Sequence, residues 1–300
     1  MDLENYPMDT VDKIGRLSDI LQKIGQIPFL RKRLSLYGGT ALNLLRLPAT
    51  YRLSIDLDFN YREPPNIDWG KERTRIDSLL KNMLTELGYA KNAIKVQPSY
   101  PLSRLEIYYH SKKGTHTSLK IETGYLRRIP ILIKDELCAY IHPVTGIQTK
   151  ILTPLKEELF ANKFCTMLSR SKIQENARDL FDVWTISKQD FNKEIFLDVV
   201  FIESILMELD LNVADKLLTK SPRHEPLRIL LKPKVKVAEI FDEARNYVSS
   251  IIEEVLESDW QIFINRYKNE KKIPLELFKR PEKINPDINH HPTLKRILQK

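Results

Sequence analysis

The segment Leu53-Ser54-Ile55-Asp56-Leu57-Asp58-Phe59 constrains this chain more than any other. Apolar and polar side chains alternate without a break, the pattern of a half-buried β-strand whose successive side chains point to opposite faces. Leu53, Ile55, Leu57 and Phe59 then pack inward, and Ser54, Asp56, Asp58 and Asn60 share the other face. Two carboxylates at adjacent same-face positions repel unless water or a cation separates them. A hard dication with oxygen ligands meets that need, and Mg2+ (or Mn2+) is the usual ion where substrate phosphates complete the shell. By itself, Asp-x-Asp more often marks a strand facing solvent.

Upstream stands Gly38-Gly39-Thr40. Residues 35–39 read as a short strand entering a glycine turn, and residues 40–47 as a short helix. That order suits phosphates. Glycine lets the backbone approach a ligand closely, and the first N–H groups of a helix lack intrahelical acceptors and favour an anion. The Thr40 hydroxyl adds a donor. Gly-Gly-Thr alone is a common turn. A phosphate cradle joined to a carboxylate pair supplies both halves of a nucleoside triphosphate–metal site.

The run GGTALNLLRL…YRLSIDLDF resembles the motif of the DNA polymerase β-like nucleotidyltransferases, and within them the AbiEii/AbiGii toxin family, which includes the MenT toxins. Arg52-Leu53-Ser54 matches that family's Arg-x-Ser approach to Asp-x-Asp-Phe. A second match lies at Asn162-Lys163-Phe164-Cys165…Arg170…Arg178-Asp179-Leu180-Phe181-Asp182. The resemblance covers about residues 35–187. It implies an α+β nucleotidyltransferase fold, a mixed twisted β-sheet with flanking helices, plus a C-terminal helical domain that closes over the sheet and the nucleotide. It implies metal-dependent transfer of a nucleotide from a nucleoside triphosphate, with metal on Asp56, Asp58 and a third carboxylate on a later strand. Glu122 in Leu119-Lys120-Ile121-Glu122-Thr123 is preferred, and Glu106 in Leu105-Glu106-Ile107 is its rival. Gly38, Gly39, Thr40, Arg52, Ser54 and Lys163 then bind nucleotide, and Lys163 and Asp179 join the catalytic set. Some members add nucleotides to tRNA 3′ ends, so the resemblance further implies an RNA acceptor such as tRNA and a cognate antitoxin protein. Transfer to a small molecule or a protein hydroxyl, or a silent nucleotide- or RNA-binding protein on the same fold, are the alternatives.

Read without the family, Lys163 lies one turn from both Leu159 and Met167 on a helix over 154–170. A lysine in line with apolar neighbours either snorkels or is held toward a site. Asp179 and Asp182 share a helix face, where an ion pair on the surface with Arg178 or Lys172 is the plainer reading.

The remaining pattern divides the chain near residue 150, giving a mixed domain over 1–150 and a mainly helical one over 151–300. In the first, a helix with Thr10 as N-cap fills much of 1–34 and another spans 71–87, ending at Gly88. Strands are expected at 93–97, 104–110 and 117–123, and less clearly at 129–134 and 147–151. In the second, Thr153-Pro154 supplies an N-cap and first-turn proline, and helices fit 154–170, 175–187, 191–207, 210–219, 234–257 and 259–270. Residues 279–293 carry three prolines without periodicity and read as an extended tail or strap.

Several classes drop out. No stretch approaches the roughly 20 apolar residues a membrane helix needs, and the start lacks a signal peptide's basic and apolar regions. Two cysteines, Cys138 and Cys165, make no disulfide framework or zinc spacing, so the cytoplasm is the expected compartment. No Gly-x-Ser-x-Gly, Walker A or dinucleotide fingerprint is present. His110, His116 and His142 read as surface or turn residues, and His290-His291 as part of the tail. The net charge of +8 favours a polyanionic partner. Lys268, Lys271, Lys272, Lys279, Arg280 and Lys283 could follow an RNA backbone or simply solvate a helix end.

Overall fold

In the computed structural model, the described residues are 3–4, 6–47, 52–62, 67–99, 101–171, 176–213, 227, 229–231 and 236–299. The chain falls into two compact units, one of Met1–Arg128, Asp135–Pro154 and Ile229–Pro233, the other of Ile129–Lys134, Leu155–Arg228 and Lys234–Lys300. One boundary between the units falls at Pro154/Leu155, and the short segments 129–134 and 229–233 each belong to the other unit than their sequence neighbours.

The first unit is built on a five-stranded mixed sheet. Its strands are β1 (Leu34–Tyr37), β2 (Leu57–Tyr61), β3 (Ile94–Ser99), β4 (Leu102–His110) and β5 (His116–Gly124), in the spatial order β1-β2-β5-β4-β3. The β2/β5 pair is parallel and the other neighbours are antiparallel. Strict alternation along β4 and β5 leaves Leu105, Ile107, Leu119 and Ile121 almost fully buried on one face. Helices α1 (Met8–Gln26) and α4 (Trp69–Glu86) bury Ile14, Leu17, Ile20, Ile76, Leu80 and Met83. Short helix α2 (Pro28–Arg33) leads into β1, and α3 (Gly38–Ala41) follows it. A hairpin of β6 (Glu136–Ile141) and β7 (Gln148–Thr153) forms a second sheet.

Several boundaries differ from expectation for identifiable reasons. Thr10 is not an N-cap. The helix begins at Met8 behind Pro7, and the Thr10 hydroxyl donates to the Ile229 carbonyl. The Asp-x-Asp segment joins the sheet only at Leu57, because Leu53 N–H instead donates to the Leu230 carbonyl, beside an Arg52–Leu231 bridge. The run at 129–134 forms no ladder. Pro130 lacks an N–H to pair, only Leu132 bridges to Ile284, and the strand begins at Glu136. Asp68 caps α4 by accepting from Gly70 and Lys71 N–H, and Gly88 follows its end at φ +90°.

The second unit contains α5 (Lys156–Ser171), α6 (Ala177–Ser187), α7 (Lys193–Leu206), α8 (Val237–Glu257), α9 (Trp260–Glu270) and α10 (Pro292–Leu298) among its described residues. Helix α5 starts at Lys156, so Thr153 is no cap: it ends β7 and its hydroxyl donates to the Leu36 carbonyl. Of the expected helix at 210–219, Leu211–Val213 makes one tight turn, and the rest lies outside the described residues. The stretch at 279–293 is a packed strap. Asp198 accepts from Lys279 and Arg280 N–H, and Ile284 and Ile288 are buried. Arg280 pairs with Glu194 and Glu282, so the basic cluster there is interrupted by acids. No helix among the described residues is long and apolar enough to cross a membrane.

Candidate functional site

Strand register assembles the acidic group. Asp58 lies opposite Glu122 on β5, and Glu122 opposite Arg104 on β4. Directly opposed residues share a face, so Asp58, Glu122 and Arg104 form one row, and Asp56 lies two residues before Asp58, just ahead of the strand. The rival Glu106 lies opposite Lys120, a strand further out, and accepts from the Tyr108 and Ser118 hydroxyls. The sequence did not foretell Arg104, whose Nε lies 2.6 Å from Glu122 Oε1. A strand alternation names a face but not the neighbour across it.

The two glycines hold distinct places around this row. Tyr37 at the end of β1 lies opposite Asp58, and Gly38 follows at φ +73°. A Cβ there would stand 2.6 Å from Asp58 Oδ2. A Cβ on Gly39 would meet Arg52 Nη2 at 2.6 Å and Ser54 Oγ at 2.9 Å. Gly38 therefore leaves space for the carboxylate, and Gly39 for Arg52 and Ser54. Arg52 and Ser54 are buried to 3% and 8% exposure. Arg52 Nη1 also donates to the Leu53 carbonyl at 2.9 Å. Thr40 is buried and its hydroxyl donates to the Asp56 carbonyl, tying the start of the helix to the acidic segment. Asn43 reaches back to the Gly39 carbonyl at 2.8 Å.

A lysine that the sequence reading passed over stands beside this group. Burial pushes the Lys13 ammonium of α1 below its ordinary pKa, opposed by the charge of Asp56 and reinforced by that of Lys120. Its position in an amphipathic helix gave no hint of this neighbour.

In the helical unit, Lys163 is buried and paired. Its Nζ lies 2.8 Å from Asp182 Oδ2 and 3.8 Å from Asp179 Oδ1. Arg170 Nη1 reaches Asp179 at 2.9 Å and 3.1 Å. Asp179 and Asp182 are 2% and 1% exposed. Both carboxylates are thus buried around the Lys163 ammonium, and Lys172 lies outside the described residues. Asp182, absent from the expected site, is the nearer partner of Lys163. Its place in the Arg-Asp-x-x-Asp run was the available signal.

The histidines stand apart from these groups. His142 is buried in the β6–β7 turn, accepting from Val144 and Thr145 N–H, and His291 accepts from Thr293 N–H. His110 and His116 face each other across β4 and β5 with ring centroids 5.4 Å apart.

Among the described residues, no three acidic, histidine or cysteine side chains converge closely enough to hold a metal unaided. Mg2+ does not require that. It is ordinarily held by one or two carboxylates, with water and substrate phosphates completing the shell. Asp56 and Asp58 meet that need as hard oxygen donors, and Glu122 beside them is engaged by Arg104.

The model of the family described as nucleotidyl transferase AbiEii toxin, type IV toxin–antitoxin system, matches residues 19–272. Among solved structures, the chain is similar to MenT4, a nucleotidyltransferase toxin from Mycobacterium tuberculosis. The TM-score is 0.60 and the identity 19%, over 87% of this chain and 90% of that one. No curated protein matches the sequence.

Proposed function

The chain belongs to the AbiEii nucleotidyltransferase toxin family of type IV toxin–antitoxin systems, and from that premise we propose that it transfers a nucleotide from a nucleoside triphosphate to an RNA acceptor such as tRNA, with Mg2+ held by Asp56 and Asp58. The observation that carries the reading is the row Asp58–Glu122 beside Gly38, a carboxylate pair set against a glycine-opened backbone. Membership of the family also implies an antitoxin as partner.

Bound metal would neutralise phosphate charge and lower the pKa of the attacking hydroxyl. The chain's own part is positioning and electrostatics. The backbone of Gly38 and Gly39 receives the triphosphate, and Arg52 and Ser54 at Gly39 extend that cradle. Glu122 is the third carboxylate, and Arg104 orients it. Lys163 contacts triphosphate, and Asp179 and Asp182 hold its ammonium in place. Thr40 orients the Asp56 segment through its hydroxyl and lines the phosphate cradle with Gly38 and Gly39. The acceptor hydroxyl attacks the α-phosphorus, pyrophosphate departs, and the hydroxyl proton leaves to solvent or to a carboxylate.

The basic charge of the chain, +8, favours RNA over a small-molecule acceptor. The test incubates the protein with Mg2+, total tRNA and each α-labelled nucleoside triphosphate in turn, beside Asp56→Ala and an EDTA control. Label in tRNA, lost in both controls, is expected. Label on protein or on a small molecule would replace the acceptor, and transfer by Asp56→Ala would overturn the assignment of Asp56.

A further inference from the structure

The face that carries Asp58 and Glu122 continues outward across β5, β4 and β3, and its character changes. Residues 91–120 contain six lysines and arginines against one acid, Glu106. Lys95, Lys112, Lys113 and Lys120 are all exposed. Lys95 lies opposite Glu106, which lies opposite Lys120, so these charges form the row next to Arg104 and Glu122. Lys112 and Lys113 stand at the tip of the β4–β5 turn, where Gly114 at φ +79° closes the hairpin. Aromatic rings lie between the charges. Tyr108 stacks on His116 at 5.7 Å with planes 16° apart, and Lys95 Nζ lies 4.9 Å from the Tyr108 ring centre. An open cavity of 390 Å³ is bounded by Asn92, Ala93, Lys95, Tyr108, His110 and His116.

Exposed lysines interleaved with stacked rings are what an unpaired nucleic-acid strand requires: cations for its phosphates and flat faces for its bases. A double helix uses the first and has no free base for the second. Distance also fits. From His116 to Glu122, β5 rises about 20 Å, the length of a few unpaired nucleotides.

We infer that the β3–β4–β5 face holds the unpaired 3′ segment of the acceptor RNA, with Lys95, Lys112, Lys113 and Lys120 on its phosphates and the Tyr108–His116 stack under a base, so that the terminal hydroxyl lies at Asp58 and Glu122. This rests on the RNA-acceptor reading above. Lys112 and Lys113 take no part in the site itself, so their reversal separates RNA docking from chemistry.

The test measures binding of the full-length protein by fluorescence anisotropy to an RNA stem-loop with a four-nucleotide 3′ overhang and to the same stem with a blunt end, across a salt series. Lys112→Glu/Lys113→Glu is compared with Lys268→Glu/Lys272→Glu, which changes net charge equally on the helical unit. His116→Ala removes the stack. The first pair should weaken binding of the tailed stem about tenfold or more, and lower the salt slope by roughly 1.4, at about 0.7 per lost phosphate contact on a single strand. His116→Ala should weaken the tailed stem and leave the blunt stem unchanged. Equal loss in the two charge-reversed pairs, or equal affinity of wild type for blunt and tailed stems, would overturn the inference. If wild type labels RNA while Lys112→Glu/Lys113→Glu binds and labels it normally, the surface assignment fails and the RNA acceptor stands. If wild type labels no RNA but labels another acceptor, the acceptor reading fails and this inference with it.

Discussion

Replacing Gly38 with alanine separates two demands that the site makes on one residue. The first is conformational. At φ +73°, an L-residue costs roughly 1–2 kcal/mol. The second is spatial. The new Cβ would stand 2.6 Å from Asp58 Oδ2, against 3.4–4 Å for ordinary contact, so the carboxylate must retreat by about 0.8 Å. Displacement of a reacting group by about 1 Å can slow catalysis on the order of a hundredfold. Gly88 supplies the control: its φ is +90°, and a Cβ there meets nothing within 4 Å. Gly88→Ala should show the conformational penalty alone, with transfer intact. Gly38→Ala should show a similar or larger penalty together with a transfer rate lower by about two orders of magnitude. Gly39→Ala, which lacks a positive φ but would crowd Arg52 and Ser54, should chiefly raise KM for the nucleoside triphosphate. Urea unfolding and α-labelled transfer on the three variants check this. Transfer by Gly38→Ala as fast as by Gly88→Ala would refute the claim that this glycine makes room for Asp58.

Three further outcomes are expected. Asp182→Ala leaves the Lys163 ammonium buried with a partner removed, and should lower stability by about 3–5 kcal/mol. Lys163→Met/Asp182→Leu should recover most of that in urea unfolding. Transfer that stays lost in the recovered double variant assigns Lys163 to the substrate, and restored transfer would make the pair purely structural. Lys13 has a folded pKa lowered chiefly by burial, so in its titration window the unfolded chain binds more protons and stability rises with pH. Lys13→Met should therefore stabilise the chain at neutral pH, and its advantage should shrink as pH climbs through the lowered pKa toward 10.5. A difference in unfolding free energy that does not vary with pH would refute this. Arg104 and Glu122 form a partly exposed pair, so Arg104→Ala should change stability by less than about 1 kcal/mol. It should shift the Mg2+ concentration for half-maximal transfer several-fold, and an unchanged Mg2+ dependence would remove Glu122 from the metal.

The amino-acid sequence by itself determined the elements whose evidence is local. Alternation placed β4 and β5, because burial of one sheet face imposes a period of two. Helical periodicity and glycine placed α4, since a positive φ after Glu86 is a local property of Gly88. The order of Gly38-Gly39, Asp-x-Asp and the Lys163 block identified the family, because a motif's spacing survives where overall identity does not. Tertiary structure decided which groups meet. Leu53 pairs with Leu230, far along the chain, so β2 starts later than the alternation implies. Thr40 spends its hydroxyl on the Asp56 carbonyl. Arg104 comes to Glu122 only through the register of β4 on β5, and Lys163 finds Asp182 on another helix. Each of these depends on a partner distant in sequence, and local pattern carries no information about long-range register. The same holds for the basic ring-lined face, whose residues are scattered over three strands and share a surface only once those strands are paired.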